Sequence, residues 1–283
     1  MKRILGTRDS GDKNVLIILI GAIHGNEVAG LKAIDNIFKE IEDHDLTIKG
    51  KIVGIAGNLQ AIESNKRFIK QDLNRIWSID KINSIIDKDK SLLEYEDLEL
   101  FEIHELLESL CKEEFQQKIL IDLHTTSADN GNFIVLPEKS MDYTLIRSLK
   151  LPMIMDLVQY IPGTLLDYMN HKDFISFAFE GGQIGSDQAV DLMTHGIWEL
   201  MYQSGVIKPV HDFKELLHYE ELIGSLHKPL PGQVTVLHRH KISEGDYFHM
   251  KPGYKNFHKI ENGEILAKDK NGEIRSPFDG LIF

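Results

Sequence analysis

The uncharged run VLIILIGAI, Val15–Ile23, constrains this chain more than any other feature. It is too short to cross a bilayer as a helix, which takes about 20 apolar residues. A continuous rather than alternating apolar run reads instead as a strand buried on both faces, and such a strand needs helices packed above and below its sheet. Further β-rich runs at Lys51–Ala56, Lys118–Leu123, Phe133–Leu136, Met153–Val158 and Ser176–Phe179 alternate with segments of helical period. In the first of those segments Val28, Leu31, Ile34, Ile37, Phe38 and Ile41 recur every three or four residues, and Leu98–Phe115 and Ala189–Met201 repeat the pattern. The expectation is an α/β protein, a sheet flanked by helices.

Ser186 and Asp187 open the last of these helices and Gly205 follows its end, in keeping with cap preferences. After Gly205 the texture changes. Glycine and proline recur, helical period fades, QVTVLHRHKI alternates like a strand, and Asn271-Gly272 reads as a tight hairpin turn. A catalytic domain over 1–205 and a smaller β-rich C-terminal domain over 206–283 are expected.

A formal charge of -12 argues against nucleic acid as a partner, because binding to phosphate backbones draws on lysine and arginine. The single Cys111 permits no intramolecular disulfide, and the N-terminus lacks an apolar stretch of secretory type. A cytoplasmic protein without membrane association is expected, with Cys111 a small buried hydrophobe. The acidic segment Glu94–Glu108 reads as a solvated helix face.

The chemistry gathers at strand ends, where open α/β sheets bind ligands. In GAIHGNE, His24 and Glu27 stand three residues apart, close enough for an imidazole nitrogen and a carboxylate oxygen to reach one ion about 2 Å from each, and Gly25 would let the backbone bend. Taken alone, such a pair is more often a surface hydrogen bond. The run KILIDLHTT ends in His124, which would supply a third ligand if its strand lies beside the first; otherwise His124 is a strand-end core histidine. Three protein ligands leave a position for water, the arrangement of catalytic zinc. NKRFIKQDLNRIW, residues 65–77, concentrates basic residues in an acidic chain. In FAFEGG, Glu180 follows apolar residues, and such a setting raises a carboxyl pKa toward the range useful for proton transfer.

Taken together, HGNE, DLNR, DLH and the late Glu before glycine resemble, in kind and order, the succinylglutamate desuccinylase and aspartoacylase family, a branch of the zinc carboxypeptidase-like fold. The islands cover about residues 15–185, and GEILAKDKNGEIRSPFDGLIF looks like the end of the family's β-rich C-terminal domain. The resemblance implies one Zn2+ per chain on His24, Glu27 and His124, with Asp72, and less firmly Asp122, orienting ligand histidines. It implies Arg67 at the scissile carbonyl, Asn74 and Arg75 on the substrate carboxylate, and Glu180 as base and then acid. The implied activity is hydrolysis of the amide bond of a small N-acyl amino acid by metal-activated water. Cleavage of peptide C-termini by a metallocarboxypeptidase is the alternative, and a carrier role for the AKDKNGE hairpin a more distant one.

The chain departs from the family in one respect: no arginine lies between Tyr160 and Glu180 to hold a second substrate carboxylate. Lys172 and Arg147 are the substitutes considered. The departure puts acetylaspartate and succinylglutamate in doubt as substrates. Tyr254 is the candidate for the tyrosine that the family places near its pocket.

Overall fold

The computed structural model describes residues 1–128, 131–137, 143–208, 214–225 and 231–283. Its strands are β1 (Ile4–Asp9), β2 (Val15–Gly21), β3 (Lys51–Ala56), β4 (Gln117–Thr126), β5 (Asn132–Leu136), β6 (Met153–Met155), β7 (Ile175–Gln183) and β8 (Gln233–Thr235). These form one sheet in the order β1-β3-β2-β4-β7-β5-β6-β8. The central strands β3, β2, β4 and β7 run parallel, whereas β1 and β5 pair antiparallel with β3 and β7. The expected mixed sheet is therefore present.

Helices α1 (Ala29–Asp43), α2 (Leu59–Glu63), α3 (Ile79–Ile86), α4 (Tyr95–Cys111), α5 (Thr144–Arg147), α6 (Leu157–Tyr160), α7 (Leu165–Asn170), α8 (Asp187–Gln203) and α9 (Lys214–Ser225) cover it. Every residue of β2 is buried. Because successive side chains point to opposite faces, Ile17 and Leu19 join Ile34, Ile37, Trp198 and Met201 of α1 and α8 in one core. Leu16, Ile18 and Ile20 join Leu100, Ile103 and Leu107 of α4 in the other. The apolar run thus dictates a three-layer sandwich through its two-sided burial.

Several expectations change. Strand β1, exposed or half-buried along its length, carries too weak an apolar signal to be recognised. The run Met153–Val158 breaks at Asp156, whose left-handed φ of 65° ends β6 and starts α6. Helix α9 lies where helical period fades, burying Tyr219 and Ile223 in the core shared with α8. Of QVTVLHRHKI only Gln233–Thr235 is strand, joining the edge of the main sheet at β6.

The remaining strands, β9 (His249–Met250), β10 (His258–Ile260), β11 (Ile265–Asp269), β12 (Gly272–Arg275) and β13 (Gly280–Ile282), form two small antiparallel sheets. Asp269 pairs with Gly272, so the hairpin loop is Lys270-Asn271, one residue earlier than expected. Gly272 takes a φ of 122° on leaving it, a conformation that other residues rarely reach. Lys270 of this hairpin pairs with Asp246 at 2.9 Å. Cys111 is half-buried at the end of α4. Among the described residues no helix is long and apolar enough to cross a membrane.

Candidate metal centre and active site

Pairing of β2 with β4, in the register Ile20 opposite Asp122 and Gly21 opposite Leu123, brings their C-terminal ends to one edge of the sheet. Beyond β2 the chain turns through Ala22, which adopts a left-handed φ of 58°, and His24 and Glu27 follow before α1. Gly25 serves close approach rather than bending: a Cβ there would lie 2.2 Å from the backbone carbon of Ala61 in α2. On β4, Asp122 and His124 share a face by the two-residue period. On β7, Glu180 stands in register with His124.

His24, Glu27 and His124 are all buried, and one ligand atom from each lies within 4.8 Å of the others. Glu27 sits between the rings: its Oε1 is 2.8 Å from His24 Nδ1 and its Oε2 is 3.2 Å from His124 Nδ1. The Thr125 backbone N–H also donates to Oε2, at 2.9 Å. The second nitrogen of each ring faces an outer carboxylate: His24 Nε2 hydrogen-bonds Asp72 Oδ1 at 3.1 Å, while His124 Nε2 lies 2.8 Å from Asp122 Oδ2 as an ion-pair contact without hydrogen-bond geometry. Carboxylates placed behind histidines in this way fix tautomer and ring orientation at metal sites. Burial pushes the Glu27 carboxyl up, but hydrogen bonds with His124 and His24 outweigh it and hold the group well below the usual carboxylate range. Burial alone would lower the His124 pKa; Asp122 and Glu27 raise it instead. The donor set, two imidazoles and one carboxylate with their outer carboxylates, fits a divalent ion such as zinc.

The other expected site residues converge on the same place. Arg67 donates through Nη1 to Glu27 and through Nε and Nη2 to Asp72, at 3.1 to 3.2 Å. Burial raises the Asp72 carboxyl, but His24 and then Arg67 overcome this and keep it well below its ordinary value. Asn74 is buried; its Oδ1 accepts from the Leu165 N–H, which turns its amide nitrogen toward His124 Nε2 at 3.4 Å. Arg75 is an exposed residue at the rim, with Nη1 donating to the Asn74 carbonyl at 2.6 Å. Glu180 is half-buried, yet its Oε2 is enclosed without a hydrogen-bond partner. Burial, reinforced by the charges of Glu27 and Asp122 and opposed by the nearby imidazoles, pushes its carboxyl up to about 7.

All of these except Asp72 line one cavity of about 330 Å³. Tyr254, Lys172 and Arg147 do not line it. The Tyr254 hydroxyl donates to Glu264 at 2.5 Å, and Lys172 pairs with Glu108 at 2.7 Å.

Two residues that matter to the site escape the sequence reading: the acidic segment is not simply a solvated face. Glu96 and Glu99 of α4 are buried. Glu96 accepts the backbone N–H groups of Ile69, Lys70 and Gln71 at 2.6, 3.0 and 3.2 Å and the Asn58 side chain at 3.1 Å. Burial would raise its carboxyl, but these bonds, the one from Ile69 first, hold it below its ordinary value. Glu99 accepts the N–H groups of Leu59 and Gln60 at the start of α2 and pairs with Arg3. The loop that presents Arg67 and Asp72 is therefore tied to α4 by a carboxylate. The available signal was spacing, since Glu96 and Glu99 stand four residues before Leu100 and Ile103 on the buried stripe.

Fold and site together define a mixed α/β protein with a buried two-histidine, one-carboxylate cluster at the C-terminal edge of its sheet. Residues 13–191 match the succinylglutamate desuccinylase/aspartoacylase catalytic domain. The succinylglutamate desuccinylase of Pseudomonas fluorescens is 24% identical over 276 residues, 92% of this chain and 75% of the relative. That of Shewanella piezotolerans is 28% identical over 286 residues, 94% of this chain and 77% of the relative. Among solved structures, the product-bound ectoine utilization protein EutE (DoeB) of Ruegeria pomeroyi superposes with a TM-score of 0.65 at 16% identity, covering 98% of this chain and 81% of that one. The chain belongs to the succinylglutamate desuccinylase/aspartoacylase family.

Proposed function

We propose that this protein is a zinc-dependent deacylase that hydrolyses the amide bond of a small N-acyl amino acid. The observation that carries the reading is the buried His24–Glu27–His124 cluster with Glu180 on the adjoining strand. Family membership supports it, and the relatives' names point to the same reaction class. His24, Glu27 and His124 would hold the ion, while Asp72 and Asp122 hold the rings in place. A bound divalent ion supplies an acidified water and a polarised amide carbonyl.

Glu180 takes the proton of the attacking water and delivers it to the leaving nitrogen, so a carboxylic acid and an amine result. Burial raises its carboxyl above the usual carboxylate range, which suits a group that must accept a proton and give it back. Arg67 spends three N–H donors on Glu27 and Asp72, which leaves two of its five for charge developing on the carbonyl oxygen. Arg75 grips the substrate carboxylate with its planar fork, beside the oriented amide of Asn74.

Elemental analysis of protein purified without chelator is expected to give about one zinc per chain, falling with any of the three ligands replaced by alanine. Arg67→Ala is expected to keep the metal and lose roughly 10²–10³ in turnover, the usual cost of one oxyanion donor. Absence of zinc, together with no hydrolysis of a broad N-acyl amino acid panel by zinc-loaded protein, would refute the proposal. Release of C-terminal residues from tripeptides would favour the carboxypeptidase reading.

A further inference from the structure

Besides the polar cluster and the hydroxyl residues Thr125, Thr126, Ser127 and Thr164, the cavity is lined by aliphatic side chains. Val135 of β5, Leu157 and Val158 of α6, Ile161, Leu166 of α7 and Ile184 beyond β7 form this aliphatic wall. Val135, Val158 and Leu166 belong to one buried cluster with Phe133 and Phe257, so this wall is backed by packed side chains. Leu157 also borders a second, larger cavity of about 620 Å³, lined by Val234, Phe257, Leu281 and other largely apolar residues of the C-terminal region.

The charges are divided unevenly. Among the described residues lining the first cavity the only cations other than histidine are Arg67 and Arg75, against Glu27, Asp122 and Glu180. Arg67 is already neutralised by Glu27 and Asp72. Of the two lining arginines Arg75 is the one without a side-chain ion pair among the described residues, and so the one placed to meet a carboxylate, with Arg239 outside the lining but near enough to act on its charge. A second anionic group placed against the aliphatic wall would lose its hydration without a partner, which is strongly unfavourable, whereas a hydrocarbon group there gains by leaving water.

Resting on the deacylase reading, we infer that the substrate carries one carboxylate, held by Arg75, and an aliphatic group that packs on Val135, Leu157, Val158, Ile161, Leu166 and Ile184. That group is either the acyl chain or the amino-acid side chain, and the two are separable.

The test is calorimetric titration of zinc-loaded Glu180→Gln protein with two series. One is N-acetyl-, N-butyryl-, N-hexanoyl- and N-succinylglycine. The other is the N-acetyl derivatives of glycine, alanine, leucine, aspartate and glutamate. Affinity is expected to rise about fourfold per buried methylene in one series, which identifies the group on the wall. The succinyl, aspartyl and glutamyl compounds are expected to bind more weakly than aliphatic counterparts. Ile184→Asn, at an exposed rim position, is expected to flatten the rise without endangering the fold.

Affinity independent of chain length in both series, or tighter binding of the dicarboxylates, overturns the inference. If the dicarboxylate preference vanishes in Arg239→Ala, the second carboxylate lies instead at Arg239, which donates to the Tyr160 carbonyl nearby. An aliphatic preference in binding with no turnover by the wild type would sink the deacylase reading and leave the pocket assignment standing. Turnover with a dicarboxylate preference would do the reverse.

Discussion

Glu180→Gln is expected to lower kcat by on the order of 10²–10⁴ with zinc content unchanged, the range typical of a lost general base. The same change is expected to stabilise the metal-free protein above neutrality. The wild-type carboxyl has a higher pKa folded, about 7, than unfolded, because burial disfavours its charged form. The folded state therefore binds the proton more tightly, so the group's contribution to stability is fully present below the unfolded value of 4.5 and is lost as pH rises through about 7. Glutamine cannot ionise and escapes that loss, a difference on the order of 2–3 kcal/mol at pH 8. Denaturant titrations of both metal-free proteins at pH 5 and pH 8 check this: the gap should open only at the higher pH. Wild-type turnover, which requires the ionised carboxylate, should fall as pH drops through a point below the metal-free value of about 7. A bound cation moves that point lower by favouring the carboxylate. A gap between the two proteins that is the same at both pH values would mean that Glu180 is not desolvated.

Glu96→Ala is expected to be clearly destabilising although the residue lies outside the site. It removes the acceptor for three consecutive backbone N–H groups and the Asn58 amide. The buried Asn58 amide left without a partner costs about 1–3 kcal/mol, while the loop amides, on half-buried or exposed residues, can turn to water and cost less, so the sum is on the order of 3 kcal/mol. For a chain of this size that lowers Tm by about 5 °C. The amides of Ile69, Lys70 and Gln71 should exchange with solvent faster, and Arg67, on the same loop, should lose its hold on the site. Glu96→Gln keeps one acceptor oxygen and should fall between wild type and Glu96→Ala. A loss below about 1 kcal/mol in Glu96→Ala would show that the loop is anchored elsewhere.

Much of the fold was legible because two-sided burial leaves a continuous apolar run, as at Val15–Ile23, and one-sided burial leaves a helical stripe, as at Ile34, Ile37 and Ile41. These are local periodicities, and they survive in a linear string. Strand β1 and helix α9 were less legible, since an edge strand and a peripheral helix bury too little for a strong pattern. The residues gathered in the candidate site were readable where chemistry restricts the choice: two histidines and a glutamate at strand ends, and a glutamate after an apolar run.

The alternation of buried strands and amphipathic helices, and the residue types able to hold an ion, are written in the linear chain, because both are properties of side chains taken one segment at a time. Only the tertiary structure decided that β2, β4 and β7 adjoin in a register that sets Glu180 beside His124. It also turned Glu96 inward onto the Arg67 loop and brought aliphatic side chains from four separate segments into the cavity that the cluster lines. The physical reason is that desolvation and hydrogen-bond geometry depend on neighbours far apart in the chain: a glutamate on a helix reads as solvated until the backbone N–H groups that bury it are brought alongside.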